Sequence, residues 1–226
     1  LSKFSTDVAH ELRTSIAAAK LELELALSKK RTAEEYEDAL LTVSQNVEAL
    51  QNTVADLLLI SRIEAKQPVL RRETVDLATL VHEVVETFEP FFEDLHISCE
   101  LSLADKVMVD VDKAKMRRVL ANLLDNALKF SPPDGNIALR LREQGKMAEL
   151  EIADQGRGIP PDELGRIFER FYRASNALEV QGTGLGLPIV RSLVEAHDGN
   201  LSVSSVLDQG TTFCIRLPLQ EGGASA

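Results

Sequence analysis

Apolar positions near the start of the chain recur every three or four residues. Val8, Leu12, Ile16, Ala19, Leu23 and Leu27 fall on one stripe of a helix expected to run to about Ser28. The polar stretch "SKKRT" breaks the pattern, and Thr32 with Glu35 forms a capping-box pair that opens a second helix. There Leu40, Val43, Val47, Leu50, Val54 and Leu57 step by three and four, which is a heptad seam. Two helices joined by so few residues fold back as an antiparallel hairpin. One hairpin cannot bury both faces of such a seam, whereas two hairpins pairing as a four-helix bundle can, so the pattern predicts a homodimer.

Pro68 ends the second helix, and residues 67–74 read as an extended linker. Strand-like alternation and amphipathic helices then mix over residues 75–220. "DLATLVHEVVETFEPFFE" is a helix opened by Asp76, "HISCELSL" and "KVMVDV" are strands, and "DKAKMRRVLANLLDNALKFS" is a helix. "NIALRLRE" and "MAELEIAD" form a hairpin around Gln144-Gly145. "LPIVRSLVEAHDG" is a helix with Gly199 at its end, and "NLSVSSV" and "GTTFCIRLPL" are the last strands. The fold class expected is α+β in two domains: residues 1–66 as a helical hairpin, and 75–220 as an α/β sandwich with helices on one sheet face. Residues 221–226 read as a loose tail.

Bulk composition narrows the function. The 226 residues are 44% hydrophobic and 27% charged, enough for a packed core, with a net charge of −11. That charge argues against nucleic acid and against an anionic membrane surface. Cys99 and Cys214 are far apart and lack a metal-binding pattern, so both read as reduced core thiols. The longest uninterrupted large-aliphatic run, "LLLI" at 57–60, is far too short to cross a bilayer, and no signal peptide is evident. The chain opens without methionine, already inside a helical pattern, which predicts a piece of a longer protein.

Against this background several polar residues stand out. His10 lies two residues from Val8, about 200° around a helix, so it points away from the apolar stripe, followed directly by Glu11, Arg13 and Thr14. "DQGRGI", residues 154–159, follows a predicted strand, and its Asp154 could accept a hydrogen bond from an amino group such as that of adenine. "GTGLGL", residues 182–187, runs into a helix, where bare N–H groups and the positive helix end suit a phosphate. Asn122 and Asn126 share one helix face, and a carboxamide oxygen can ligate Mg²⁺. Lys129 adds a point charge for a phosphate. Between the glycine motifs, a segment with Phe168, Phe171 and Tyr172 has the placement of a lid. By spacing alone these stretches would equally be a glycine-rich turn, a helix-entry loop and a pair of surface amides.

Taken together, "HELRT", "NLLDNALKFS", "DQGRGI", "FERFYR" and "GTGLGLPIVRSLVEAHDG" resemble the H, N, G1, F and G2 boxes of bacterial two-component sensor histidine kinases, in that family's order. The resemblance implies autophosphorylation of His10 from Mg·ATP and transfer to an aspartate of a response regulator. It makes Glu11 the residue that orients His10 and takes its proton, and gives Glu11 and Thr14 a part in dephosphorylating the regulator. It implies that Asn126 holds Mg²⁺ and that Asp154 recognises adenine. Asn122, Lys129, Gly156, Gly158, Ile159, Gly182, Thr183, Gly184, Leu185 and Gly186 complete the nucleotide set. It also implies a soluble cytoplasmic fragment of an inner-membrane protein, touching the membrane only through a missing N-terminal segment. His82, His96 and His197 fit no such constellation and read as structural or surface residues.

One position departs from the family: Ser15 stands where proline is usual. Serine keeps a helix hydrogen bond that proline would remove, and is expected to shift the balance between kinase and phosphatase geometries. Two other readings compete. Chaperone, mismatch-repair or topoisomerase ATPases of the same nucleotide fold use a glutamate where Asn122 stands, and give the His10 hairpin no role. A nucleotide-binding scaffold without phosphotransfer would need a damaged site.

Overall fold

The computed structural model of the chain describes residues 2–64, 70–180 and 182–220, with side chains throughout except at 2–12, 14–15 and 63–64. The side chains of His10, Glu11, Thr14 and Ser15, the helix stop at Pro68, and the 221–226 tail therefore lie outside the described residues. Two compact units divide the chain, residues 1–64 and 65–226.

The first unit is a hairpin of α1 (Ser2–Leu27) and α2 (Ala33–Glu64). The capping box forms: the Glu35 N–H donates to Thr32 Oγ1 at 3.2 Å, and the Thr32 N–H donates to Glu35 Oε2 at 2.8 Å. That backbone bond holds the Glu35 carboxyl below the usual range. The inward stripe is rotated from the expected seam. Ala39, Thr53, Leu57 and Ile60 are buried, with Tyr36, Val43, Asn46 and Leu50 half-buried, in unbroken heptad spacing. Val43, Leu50 and Leu57 belong to both sets, but Leu40, Val47 and Val54 stay exposed. On α1, Ala19, Glu22 and Ala26 turn inward while Ile16, Leu23 and Leu27 remain exposed. On α1 the small Ala19 and Ala26 lie inward and let the helices approach closely, while the larger Ile16, Leu23 and Leu27 stand outside.

In the second unit, β1 (Glu73–Asp76) begins inside the stretch expected to be linker and pairs antiparallel with β3 (Met108–Val111). A five-stranded sheet has the order β2-β4-β5-β7-β6, formed by Ser98–Leu103, Asn136–Gln144, Met147–Asp154, Gly210–Pro218 and Asn200–Val206 respectively. Among the described residues only the β2–β4 pair is parallel. Helices α3 (Leu77–Asp94), α4 (Lys113–Phe130) and α5 (Gly186–Ala196) pack against the sheet and one another. Aspartates cap two of them: Asp76 accepts from the Ala78 N–H, and Asp112 from the Lys115 N–H. At the end of α5 the left-handed residue is Asp198, φ 59°, rather than the expected Gly199, whose N–H closes the turn on Val194 O at 3.0 Å.

Strand register defines the two sheet faces. Toward the helices, Leu141, Leu150, Ile215 and Leu201 make one cross-strand row, and Leu139, Ile152, Phe213 and Val203 the next. On the other face Arg142, Glu149 and Arg216 stand side by side. Glu149 is only 1% exposed beneath them; Arg216 Nε donates to Glu149 Oε2 at 2.6 Å and Arg142 Nε to Oε1 at 2.8 Å. These bonds hold the Glu149 carboxyl below the usual carboxylate range. Cys214 lies on this outer face, paired opposite Glu151, and both cysteines are free and half-buried. Burial pushes the Cys99 thiol up to about 11.

His197, at the end of α5, is buried and neutral-favouring, because desolvation lowers its pKa. Its Nε2 accepts the Asp112 N–H at 3.0 Å while Nδ1 donates to Leu193 O at 2.7 Å. Asp112 Oδ2 also accepts the Arg71 N–H, and the Arg72 guanidinium donates to Asp198 and to Ala196 O. One buried imidazole thus ties the start of α4 to the end of α5.

Glu149→Ala is expected to lower Tm by about 5–10 °C, more than removal of either arginine alone, because the remaining arginine keeps the carboxylate bonded. The stabilisation is present above the ordinary glutamate pKa and lost as pH falls through the depressed folded value. Thermal unfolding of parent and variants at neutral and acid pH measures both effects.

Candidate functional site

The helix-facing rows of the sheet end in a row where the apolar Ile137 is followed by three polar residues, Asp154, Thr211 and Ser205. Asp154 thus points toward the helix layer at the sheet's end. Its Oδ1 accepts the Gly156 N–H at 2.8 Å and the Thr211 N–H at 3.2 Å. Among the described residues Oδ2 makes no bond, so it stays free for an external donor. Burial, partly offset by these two bonds, pushes the Asp154 carboxyl up. Ser205 completes the row: its hydroxyl accepts the Ile159 N–H at 2.9 Å and donates to Gly210 O at 2.8 Å.

The glycine turn after Asp154 is held against its neighbours. Gly158 has φ 64°, and a Cβ there would lie 2.1 Å from Val206 O, so no other residue fits. Arg157 is bonded on three sides. Its N–H donates to Phe130 O at 3.3 Å, its carbonyl accepts the Asp208 N–H at 2.9 Å, and its guanidinium reaches Asn176 O at 2.6 Å. The Asn176 amide returns a bond to Gly158 O at 3.0 Å.

Helix α5 supplies the second glycine segment. α3 and α4 open on aspartate caps, but among the described residues no side chain caps the first turn of α5. Uncapped N–H groups at a helix start suit a phosphate. Asn122, half-buried on α4, faces this entry: a Cβ on Gly186 would lie 3.4 Å from its Oδ1. Asn126 is half-buried one turn further along α4. Lys129 pairs with Asp125 at 2.6 Å; the pair is partly exposed and so weak enough to exchange for a phosphate. Thr183 Oγ1 accepts the Leu185 N–H at 3.4 Å, Leu185 is buried, and Gly182 is exposed. Gly184, at φ 68°, interlocks with the lid: its carbonyl accepts the Phe171 N–H at 3.0 Å, and a Cβ would lie 2.8 Å from Phe171 Cα.

The expected lid spans residues 160–181; its described residues, 160–180, are largely turns with a 3-10 turn at Ser175–Ala177. Its aromatics are braced by cations: Arg191 lies 5.0 Å from the Phe168 ring centroid, and Arg166 4.2 Å from that of Tyr172. Arg173 gathers the carbonyls of Ala177, Leu178 and Val180. Phe171 carries φ 59°, a conformation rare for an aromatic.

The N, G1, F and G2 stretches of the sequence therefore converge on one end of the second unit. The hairpin residues His10, Glu11 and Thr14 belong to α1, and their side chains are outside the described residues. Asp154 with a free oxygen, the uncapped start of α5, and two carboxamides on one face of α4 form a donor and acceptor set that fits a Mg-bound adenine nucleotide. Sequence reasoning missed Thr211, Ser205, Arg157 and Asn176. Thr211 and Ser205 left a trace, as polar residues on the inward phase of alternating strands; Arg157 and Asn176 left none.

Known proteins share these parts. Residues 1–66 match the family description "His Kinase A (phospho-acceptor) domain", and residues 111–221 match "Histidine kinase-, DNA gyrase B-, and HSP90-like ATPase". The sensor protein IrlS of Burkholderia pseudomallei is 36% identical over 220 residues, which is 96% of this chain but 47% of IrlS. The chain thus spans about half the length of the curated relatives it matches. Among solved structures, the mycobacterial sensor histidine kinase MprB is 38% identical with TM-score 0.61, covering 65% of this chain and 98% of that one. The histidine kinase AdeS of Acinetobacter baumannii is 27% identical with TM-score 0.76, covering 94% and 98%. ThkA, a histidine kinase solved in complex with the response regulator protein TrrA, shares the fold at 21% identity and TM-score 0.75, covering 96% and 61%.

Asp154→Asn keeps an oxygen for Gly156 and Thr211 but turns an N–H₂ group toward the donor that Oδ2 would accept. Calorimetry is expected to show ATP affinity weakened about 10–100-fold. In the parent, affinity falls with acidification at a pH above the ordinary aspartate pKa of 3.8, since burial raises the carboxyl and a proton on Oδ2 turns the free acceptor into a donor.

Proposed function

The chain belongs to the sensor histidine kinases of two-component signalling, and from that premise we propose that it phosphorylates His10 from Mg·ATP and passes the phosphoryl group to an aspartate of a response regulator. The observation that carries this reading is the Asp154 carboxylate, anchored through one oxygen and free at the other, in a chain that also bears a phospho-acceptor hairpin. Residues 1–66 serve as the dimerisation and phosphotransfer domain, 67–74 as linker, 75–220 as the ATP-binding domain and 221–226 as a tail.

Asp154 accepts the adenine amino group. The G1 residues Gly156, Gly158 and Ile159 shape the base pocket beside it. Residues 182–186 and the first N–H groups of α5 receive the phosphates, with Lys129 released from Asp125 to join them. Asn126 would hold Mg²⁺ through its carboxamide oxygen, with Asn122 beside it, and the ion would neutralise charge developing on the phosphates. The His10 imidazole nitrogen forms the new N–P bond as the bond from the γ-phosphorus to the bridging oxygen breaks and ADP leaves. Glu11 orients the ring and takes its proton. Thr14, one turn on, positions the water that dephosphorylates the regulator, making the protein bifunctional.

Dimerisation through the hairpin is supported by the exposed apolar residues Ile16, Leu23, Leu40, Val47 and Val54, which a second copy would cover. Among the described residues no helix is long and apolar enough to cross a membrane. We place the chain on the cytoplasmic side, anchored through a segment outside it.

Incubation with γ-labelled ATP and Mg²⁺ is expected to give an acid-labile, alkali-stable label on the parent and none on His10→Gln. Asn126→Ala should reduce labelling at least about 100-fold. Free phosphate without labelled protein would instead mark an ATPase. Ser15→Pro tests the effect of bending α1 at this point: kinase and phosphatase rates change in opposite directions, and unchanged rates in both assays rule the idea out.

A further inference from the structure

The lid meets the G1 turn through two hydrogen bonds that run in opposite directions. Arg157 donates from the G1 turn to the Asn176 carbonyl at 2.6 Å, and the Asn176 side chain donates back to the Gly158 carbonyl at 3.0 Å. Both acceptors are backbone atoms, so each bond fixes main chain to main chain through one side chain. The G1 end is rigid. The Arg157 backbone is bonded to Phe130 at the end of α4 and to Asp208 in the β6–β7 turn, and Gly158 sits where no other residue fits. The lid end is also organised, since Arg173 gathers the carbonyls of Ala177, Leu178 and Val180, and Glu163 accepts the Ser175 N–H at 2.9 Å. A second tie, Phe171 N–H to Gly184 O, joins the same lid to the G2 segment.

We infer that Arg157 and Asn176 are positioning residues for ATP: a two-bond clasp that holds the lid turn on the G1 loop before the nucleotide arrives. This rests on the nucleotide reading given above and adds to it the means by which the lid is set. A pre-ordered lid spares binding the entropy of ordering it, so the clasp acts on ATP affinity rather than on the chemical step. Each side chain acts through the backbone it holds.

The test uses the full chain with Arg157→Ala, Asn176→Ala, the double variant and Arg157→Lys. Rates of His10 labelling against Mg·ATP concentration give KM and kcat. Hydrogen exchange at the 170–180 amides, without nucleotide, reads the lid directly. Each alanine variant is expected to raise KM about tenfold with kcat within about twofold of the parent and Tm unchanged. The double variant should resemble either single one, because losing one bond opens the clasp. Lid amides should exchange faster in all three, and Arg157→Lys should recover most of the affinity. Unchanged KM and unchanged exchange in both single variants would overturn the proposal. So would effects that multiply in the double variant, or a joint fall of KM-independent rate and Tm, which marks a general structural role. If the parent binds no ATP, or Asp154→Asn leaves its affinity intact, the nucleotide reading fails; the exchange comparison, which needs no ATP, still decides the clasp.

Discussion

Cross-strand register between β4, β5 and β7 is the constraint on which the ATP-binding unit depends. On one face Arg142, Glu149 and Arg216 must align to satisfy a buried carboxylate; on the other, Leu139, Ile152 and Phe213 must align to meet the helices. The side-chain period of a strand is two, so a slip of one residue would turn every apolar residue outward and break the ionic row at once. The same register carries Asp154 to the end of the inward rows, beside Thr211. The Asp154 carboxylate is thus placed by the packing of apolar core residues.

Helix order then completes the site. α4 and α5 lie side by side and run in opposite directions, so Asn122 on one faces the entry of the other at Gly186. Phe130, at the far end of α4, receives the Arg157 N–H. Gly156 permits the second approach, since a Cβ there would lie 2.5 Å from Phe130 O. The hairpin follows a different logic, in which short-range capping at Thr32 and Glu35 fixes the helix start and heptad spacing fixes the inward stripe.

Much of this was legible along the chain. The helices, the strands and the four nucleotide stretches all left periodic or motif signals, since strand and helix periods are imposed by burial on one face. The rest was hidden for identifiable reasons. Two apolar stripes lie side by side on α2, so spacing alone did not distinguish the stripe headed by Ala39 from the one headed by Leu40. The left-handed turn after α5 falls on Asp198 because the backbone geometry, not the presence of a glycine, selects the position. Phe171 gives no local hint of its positive φ, which is imposed by the approach of Gly184. The bonds of Arg157 and Asn176 go to carbonyls nearly twenty residues away, and a backbone acceptor has no identity to read in a sequence.

The buried His197 has a mechanical side. It fastens the first residue before α4 to the last turn of α5, so the two helices are pinned at one end and meet again at Asn122 and Gly186. Eleven residues of α5 make an arm of about 16 Å between pin and mouth. Turning that arm by about 4° displaces Gly186 by about 1 Å, comparable to the tolerance of a hydrogen bond. The pair of helices is therefore a caliper, with the imidazole as its rivet and the jaw width set at the opposite end of the domain.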